Sequence, residues 1–134
     1  MYKLLIVEDD PNLRRLYQDE FTEDGYRVLA ASSGEEALEI AARQRLHGVV
    51  LDIRLAGMDG LDAMRQLLER HPNLTVVLNS AYPSFKSDFG SWGADRYVVK
   101  SSDLTELKQA VREALGGKAI TPCASRLQVA QKLP

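Results

Sequence analysis

Four stations along this sequence carry side chains that could do chemistry together. Glu8 and Asp9 follow the apolar run Lys3-Leu4-Leu5-Ile6-Val7. Asp52 ends the run Val49-Val50-Leu51. Ser80 follows Leu74 to Leu78, and Lys100 follows Asp95 to Val99. Short apolar runs without alternation read as strands buried on both faces, as in a parallel sheet. Each station therefore stands at the carboxyl end of a predicted strand, the edge where open α/β sheets place their ligands. Clustered carboxylates repel one another, and a hard divalent cation relieves that repulsion. Mg2+ prefers oxygen ligands and typically uses one or two carboxylates together with phosphate oxygens. Lys100 adds a fixed positive charge, and Ser80 adds a hydroxyl donor. The set suits the carrying of a phosphoryl group, with Asp52 as nucleophile, the metal bridging and Lys100 pairing with phosphoryl oxygens.

The elements that must position these groups follow from periodicity and capping. Asp10 and Pro11 suit the start of a helix bearing Leu13, Leu16, Tyr17 and Phe21, with Gly25 as its stop. Tyr26 to Ala31 reads as the second strand. Ser33-Gly34-Glu35-Glu36 is a capping box for a helix lined by Ala37, Leu38 and Ala41. Gly48 to Asp52 is the third strand, and Asp59-Gly60 opens a helix that closes near His71-Pro72. After the fourth strand, residues 82–93 hold one proline, two glycines and three serines, so at most a short, frayed helix fits. Asp103-Leu104-Thr105-Glu106 caps the last helix, with Leu107, Val111 and Leu115 inward and Gly116 as its stop. Residues 118–134 read as a tail without an output domain, so the chain divides into 1–117 and 118–134. Alternating strands and helices imply a parallel sheet covered on both faces. The expected fold is α/β, a flavodoxin-like doubly wound sheet of five strands in the order 2-1-3-4-5.

Composition narrows the function classes. The 134 residues are 45% apolar and 27% charged, which fits one globular domain with an adequate core. A formal charge of -2 gives no electrostatic case for nucleic acid or a membrane surface. Cys123 is the single cysteine, which excludes a disulfide framework and a thiolate metal site. His47 and His71 lack ligand-spaced partners. No signal peptide and no bilayer-long apolar run is present, so a cytoplasmic location is expected.

Val7-Glu8-Asp9-Asp10, Leu51-Asp52, Gly57-Met58-Asp59-Gly60, Ser80-Ala81 and Asp95-Arg96-Tyr97-Val98-Val99-Lys100, in that order, resemble the receiver domain of two-component response regulators. The resemblance covers roughly residues 1–116. It implies that Asp52 accepts phosphate from a histidine kinase, a phosphotransfer protein or a small phosphodonor. It implies Mg2+ held by Asp9 and Asp52, by Glu8 through water and by the backbone carbonyl of Arg54. Ser80 and Tyr97 become the switch pair, and Lys100 pairs with the acyl phosphate. Arg54 and Tyr82 fall where the family lines the path of the attacking water. Bulk there implies a phosphorylated form that lasts minutes or longer.

Two departures from the family pattern matter. Ser101 stands where proline usually follows the lysine, in a bond commonly cis. A cis Lys100–Ser101 bond is the expectation, because Lys100 must still reach the site; trans is the alternative, favoured locally by roughly 2.5–4 kcal/mol. Residues 82–93 replace the usual fourth helix, so that face is expected to be irregular, with two of Phe85, Phe89 and Trp92 pinning the segment to the core. The leading reading is a phosphoryl-accepting signalling switch rather than an enzyme. The alternative is a degenerate receiver that binds partners without phosphorylation. An aspartyl-phosphate phosphatase would want a second Asp at position 54, which is Arg. A flavodoxin would need a phosphate loop where Glu8-Asp9-Asp10 stands.

Overall fold

The computed structural model describes residues 1–55, 57–81 and 93–119, the last three of these by their backbone alone. The elements run β1 (Lys3–Val7), α1 (Pro11–Glu23), β2 (Arg27–Ala31), α2 (Gly34–Arg43) and β3 (Gly48–Leu51). They continue with α3 (Gly60–Arg70), β4 (Thr75–Ser80), β5 (Arg96–Val99) and α4 (Thr105–Ala119). The strands form one parallel sheet in the expected order β2-β1-β3-β4-β5.

Strand side chains alternate between faces, and this splits the core in two. Leu5, Val7, Val49, Leu51, Val76, Leu78 and Tyr97 pack with Ala37, Ala41, Met64 and Leu67 under α2 and α3. Leu4, Ile6, Val50, Val77 and Val98 pack with Tyr17, Phe21, Leu107, Val111 and Leu115 under α1 and α4. Both faces of β1, β3 and β4 are thus buried, which is why their sequences show no polar alternation.

Side-chain caps start the helices where the sequence places them. Asp10 accepts from the amides of Asn12 and Leu13, and Ser33 accepts from Glu36. Asp59 accepts from Leu61 at the head of α3. Gly25 turns the chain out of α1 with φ 99°, a left-handed conformation that suits glycine.

Two bounds differ from the sequence reading by more than one residue. β4 continues through Asn79 and Ser80, because both remain buried and in register with Val98 and Val99. α4 passes through Gly116 and ends at Ala119. Glycine weakens a helix by about 1 kcal/mol, and the buried stripe of Leu107, Val111, Ala114 and Leu115 outweighs it. The expectations for Tyr82, Phe85, Phe89, Trp92 and the tail beyond Ala119 lie outside the described residues.

Candidate functional site

The parallel registers bring the four stations to one edge. Val7 lies beside Leu51, and Leu51 beside Leu78, so Glu8 and Asp52 emerge together. The ladder continues one step past the strands: Asp52 N–H donates to Val7 O at 3.3 Å, and Lys100 N–H donates to Ser80 O at 2.7 Å. Glu8, Asp9 and Asp52 each place a carboxylate oxygen within 4.8 Å of the others. Glu8 is 2% exposed and Asp52 6%, whereas Asp9 faces solvent.

Lys100 joins the two buried acids. Its Nζ lies 2.8 Å from Asp52 Oδ2 and 2.8 Å from Glu8 Oε1. The second oxygens are held by backbone: Arg54 N–H donates to Asp52 Oδ1 at 3.2 Å, and Asp10 N–H to Glu8 Oε2 at 3.2 Å. Burial pushes the Glu8 carboxyl above the usual carboxylate range, and the bonds from Lys100 and Asp10 only partly offset this. Burial alone would lower the Lys100 pKa, but its bonds to Asp52 and Glu8 win, and it stays raised and charged. Three carboxylates against one ammonium leave the cluster two negative charges in excess. An all-oxygen donor set with that excess, open to solvent on the Asp9 side, fits a hard divalent cation.

The Lys100–Ser101 bond is trans, since no cis peptide occurs among the described residues. This corrects the expectation of a cis bond. Without a proline ring the trans form is favoured by roughly 2.5–4 kcal/mol, and the site does not oppose it. Lys100 is already aimed by its bond to Ser80 O, and its long stem spans the remaining distance. Beyond it Ser101 Oγ accepts from Asp103 N–H at 3.1 Å, and Asp103 Oδ1 accepts from Thr105 N–H at the head of α4.

The other predicted residues are placed as follows. Ser80 is fully buried at the end of β4, beside Val99. Tyr97 is 5% exposed beside Leu78, in the core under α2 and α3. Arg54 sets its amide on Asp52 and exposes its side chain. Tyr82 lies outside the described residues.

Three contributors escaped the sequence reading. The Arg14 guanidinium reaches back from α1 to Glu8 O at 3.0 Å and Asp9 O at 3.5 Å, steadying the acidic turn. Gly60 N–H donates to Ile53 O at 2.9 Å, pressing α3 onto the residues that follow β3. Asn79, a polar residue inside an apolar strand, is 3% exposed one step before Ser80. In the sequence Gly60 showed only as part of the Gly57-Met58-Asp59-Gly60 run, and Asn79 only as the odd residue in its strand.

Comparison with known proteins agrees with this geometry. The model of the response regulator receiver domain matches residues 4–112. The chain belongs to the response regulator receiver family. Among its relatives, the sporulation initiation phosphotransferase F of Bacillus subtilis is 30% identical over 84% of this chain and 93% of that protein. The response regulator TrrA of Thermotoga maritima, crystallised with Mg2+ and BeF, is 38% identical with TM-score 0.80, over 85% of this chain and 99% of that one. TrrA has also been solved in complex with the histidine kinase ThkA, where the match covers 86% of this chain with TM-score 0.78. The receiver spans only 25% of a longer relative, the regulatory protein AtoC of Escherichia coli. Among the described residues, no helix of this receiver is long and apolar enough to cross a membrane.

Proposed function

We propose that this receiver accepts a phosphoryl group on Asp52 from a histidine kinase or phosphotransfer protein and so switches its protein contacts. The observation that carries the reading is the shared ammonium of Lys100, 2.8 Å from both Asp52 and Glu8, with Asp9 alongside. A receiver reduced to partner binding has no use for such an arrangement, whose acids repel one another at a cost to stability.

The chain's own groups divide the work. Lys100 and the Arg54 amide hold the Asp52 carboxylate in one orientation for attack on phosphorus. A new O–P bond forms at Asp52 as the donor's bond to phosphorus breaks, and the donor keeps the electron pair. Lys100 then balances part of the charge on the phosphoryl oxygens. Asp9, Asp52, Glu8 through water and the Arg54 carbonyl would hold Mg2+. That ion, when bound, offsets negative charge between carboxylate and phosphoryl oxygens. Ser80 meets a phosphoryl oxygen with its hydroxyl, and Tyr97, already buried beside Leu78, serves as the other half of the switch pair by packing behind it. The two conformations exchange, and phosphorylation shifts their populations. Arg54 hinders the water that would hydrolyse the acyl phosphate. The switch works in the cytoplasm through protein contacts of residues 1–117.

Incubation with acetyl phosphate and Mg2+, read by intact mass, tests the proposal. The wild type should gain the mass of one phosphoryl group, and Asp52→Asn should gain none. An unmodified wild type, or equal labelling of the variant, would remove Asp52 from the role.

A further inference from the structure

A groove opens at the end of the sheet opposite the acidic edge. Tyr2, His47 and Leu74 line it, and each stands one residue before a strand begins. Its volume is about 560 Å3, within the range of sites that take small organic molecules. Ala41, Leu46, Leu74 and Leu115 give it an apolar lining, and all but Leu46 are buried. Arg43, Arg45, His47 and His71 line it too, and among the described residues no carboxylate does. Both of the chain's histidines therefore meet at one place. The chain as a whole has more acids than lysines and arginines, 19 against 17, so this basic lining runs against its composition.

The polar groups are held in place. His47 N–H donates to Lys3 O at 2.9 Å, and His47 O accepts from Thr75 N–H at 3.1 Å, which ties the residue to the starts of β1 and β4. The ring is fixed as well. Its Nδ1 accepts from Lys3 N–H at 2.9 Å, and the Tyr2 ring lies edge-to-face with it, centroids 5.4 Å apart. With Nδ1 accepting, the ring proton sits on Nε2 and is left to donate. His71 ends α3 and turns at once toward β4, its carbonyl accepting from Leu74 N–H at 3.0 Å. Lys3 Nζ bonds Gln44 Oε1 at 3.1 Å, which adds a positive charge at the rim. Arg43 has an ordinary role: it pairs with Glu39 at 3.4 Å in the last turn of α2, where a cation offsets the carbonyl end of a helix. Arg45 lies beyond the cap Gln44 and is exposed. Among the described residues it pairs with no carboxylate, so neither account covers it.

We propose that this groove binds a small amphipathic anion. The ligand is an organic carboxylate, sulfonate or phosphate whose apolar body lies on Leu46, Leu74 and Leu115 and whose head meets Arg45 and the two histidines. A head without the body would leave the apolar lining wet, and a body without the head would leave Arg45 unpaired, so affinity needs both. The inference stands apart from the phosphoryl-switch reading, since no residue of the acidic edge lines the groove.

Anilinonaphthalene sulfonate is the probe, and phenylnaphthylamine, the same rings without the sulfonate, is its control. Titrated into the full chain, the sulfonate should fluoresce on saturable binding to one site. Its dissociation constant should be on the order of tens of micromolar, as suits a ligand of that size. The amide resonances of Leu46, His47, His71 and Leu74 should shift most. Phenylnaphthylamine should bind about tenfold more weakly or worse. Arg45→Glu should weaken sulfonate binding by about tenfold or more, the range for a bond to a charged group, at the wild-type melting temperature. Arg45→Gln should weaken it by about threefold or more and replaces the reversal if that variant melts early. Arg15→Glu, the same charge change on the exposed face of α1, should leave affinity unchanged. Wild-type affinity in both Arg45 variants overturns the proposal, as does an equal loss in Arg15→Glu. So do resonance shifts centred elsewhere, equal binding of phenylnaphthylamine, or no saturable binding by the wild type.

Discussion

Alanine at Gly60 should damage both the stability of the receiver and its chemistry. A Cβ at this position would lie 2.1 Å from Asp52 O, 2.6 Å from Ile53 O and 2.7 Å from Ile53 Cα. All three are backbone atoms, so no side chain can swing aside. Carbon and carbonyl oxygen approach to roughly 3.3 Å, so the head of α3 and the end of β3 must part by about 1 Å. Overpacking of that kind costs about 1–3 kcal/mol. Straining the Gly60–Ile53 hydrogen bond adds about 1 kcal/mol. A loss of about 2–4 kcal/mol follows, or a melting temperature lower by about 10 °C. The atom first displaced belongs to Asp52 itself, whose carboxylate stands 2.8 Å from Lys100. A misplacement near 1 Å slows an aligned reaction by about a hundredfold. Phosphorylation by acetyl phosphate, followed by mass in the fraction that stays folded, should slow by about that much. Gly116→Ala is the matched control. Gly116 is exposed within α4, and its added Cβ would meet nothing within 4 Å. That variant should gain about 0.5–1 kcal/mol and keep its rate. Urea denaturation followed by circular dichroism reads both stabilities. If Gly60→Ala unfolds at the wild-type midpoint and phosphorylates at the wild-type rate, α3 is not pressed against the Asp52 peptide.

Three further outcomes are expected. Lys100→Met leaves Glu8 and Asp52 facing each other without a cation, at a cost of about 3 kcal/mol in metal-free buffer at neutral pH. Millimolar MgCl2 should recover part of that loss, and a stability indifferent to Mg2+ would count against the acids as a metal site. Glu36 is held below the ordinary glutamate value of 4.5 by bonds from the Ser32 amide and hydroxyl. Its stabilisation is full above that value and is lost as pH falls through the lower folded pKa. Glu36→Gln should therefore be weaker by about 0.5 kcal/mol at neutral pH, the side chain being exposed, and converge with the wild type in strong acid. A gap that stays constant into acid would contradict the linkage. Arg54→Ala should shorten the life of the phosphorylated form, which in the wild type should persist for minutes or longer. Loss of radiolabel from the wild type within seconds would refute the shielding assigned to this position.

How much of this was legible depended on which interactions are local. Lys3–Val7, Val49-Val50-Leu51 and the run from Leu74 announce buried strands because both faces of β1, β3 and β4 are covered. The caps Asp10, Ser33 and Asp59 act within three residues of themselves, so spacing alone finds them. Asn79 and Ser80 hid the true end of β4, since their burial comes from the pairing with β5 and not from apolar character. Gly116 misled for the converse reason, because the stripe of α4 that overrides it is a tertiary matter. The cis expectation at Lys100 came from the family's proline, while serine's own chemistry favoured the trans bond that is found. Arg14 was unreadable as a contributor. Helical periodicity places a side chain on a face but does not say which carbonyl or amide it meets.

The geometry also separates the two neighbouring acids, which sequence alone treats as a pair. Both Glu8 oxygens are engaged, Oε1 by the Lys100 ammonium at 2.8 Å and Oε2 by the Asp10 amide at 3.2 Å. The carboxylate is buried and its pKa raised, so it is the costlier of the two to keep charged. Asp9 faces solvent and lies within reach of Asp52. A cation arriving from solvent would meet Asp9 first, and direct ligation by Glu8, the more buried of the two acids that Lys100 bridges, would require it to give up a bond already made. Ligation of Glu8 through water avoids that exchange and leaves the Lys100 bridge intact. Its counterpart is the charge balance: with the bridge in place the cluster carries two excess negative charges. A divalent ion cancels that excess, and a monovalent ion would cancel half of it. The preference for a divalent cation therefore follows from Lys100 as much as from the acids, and removing the lysine should broaden the range of cations that stabilise the fold.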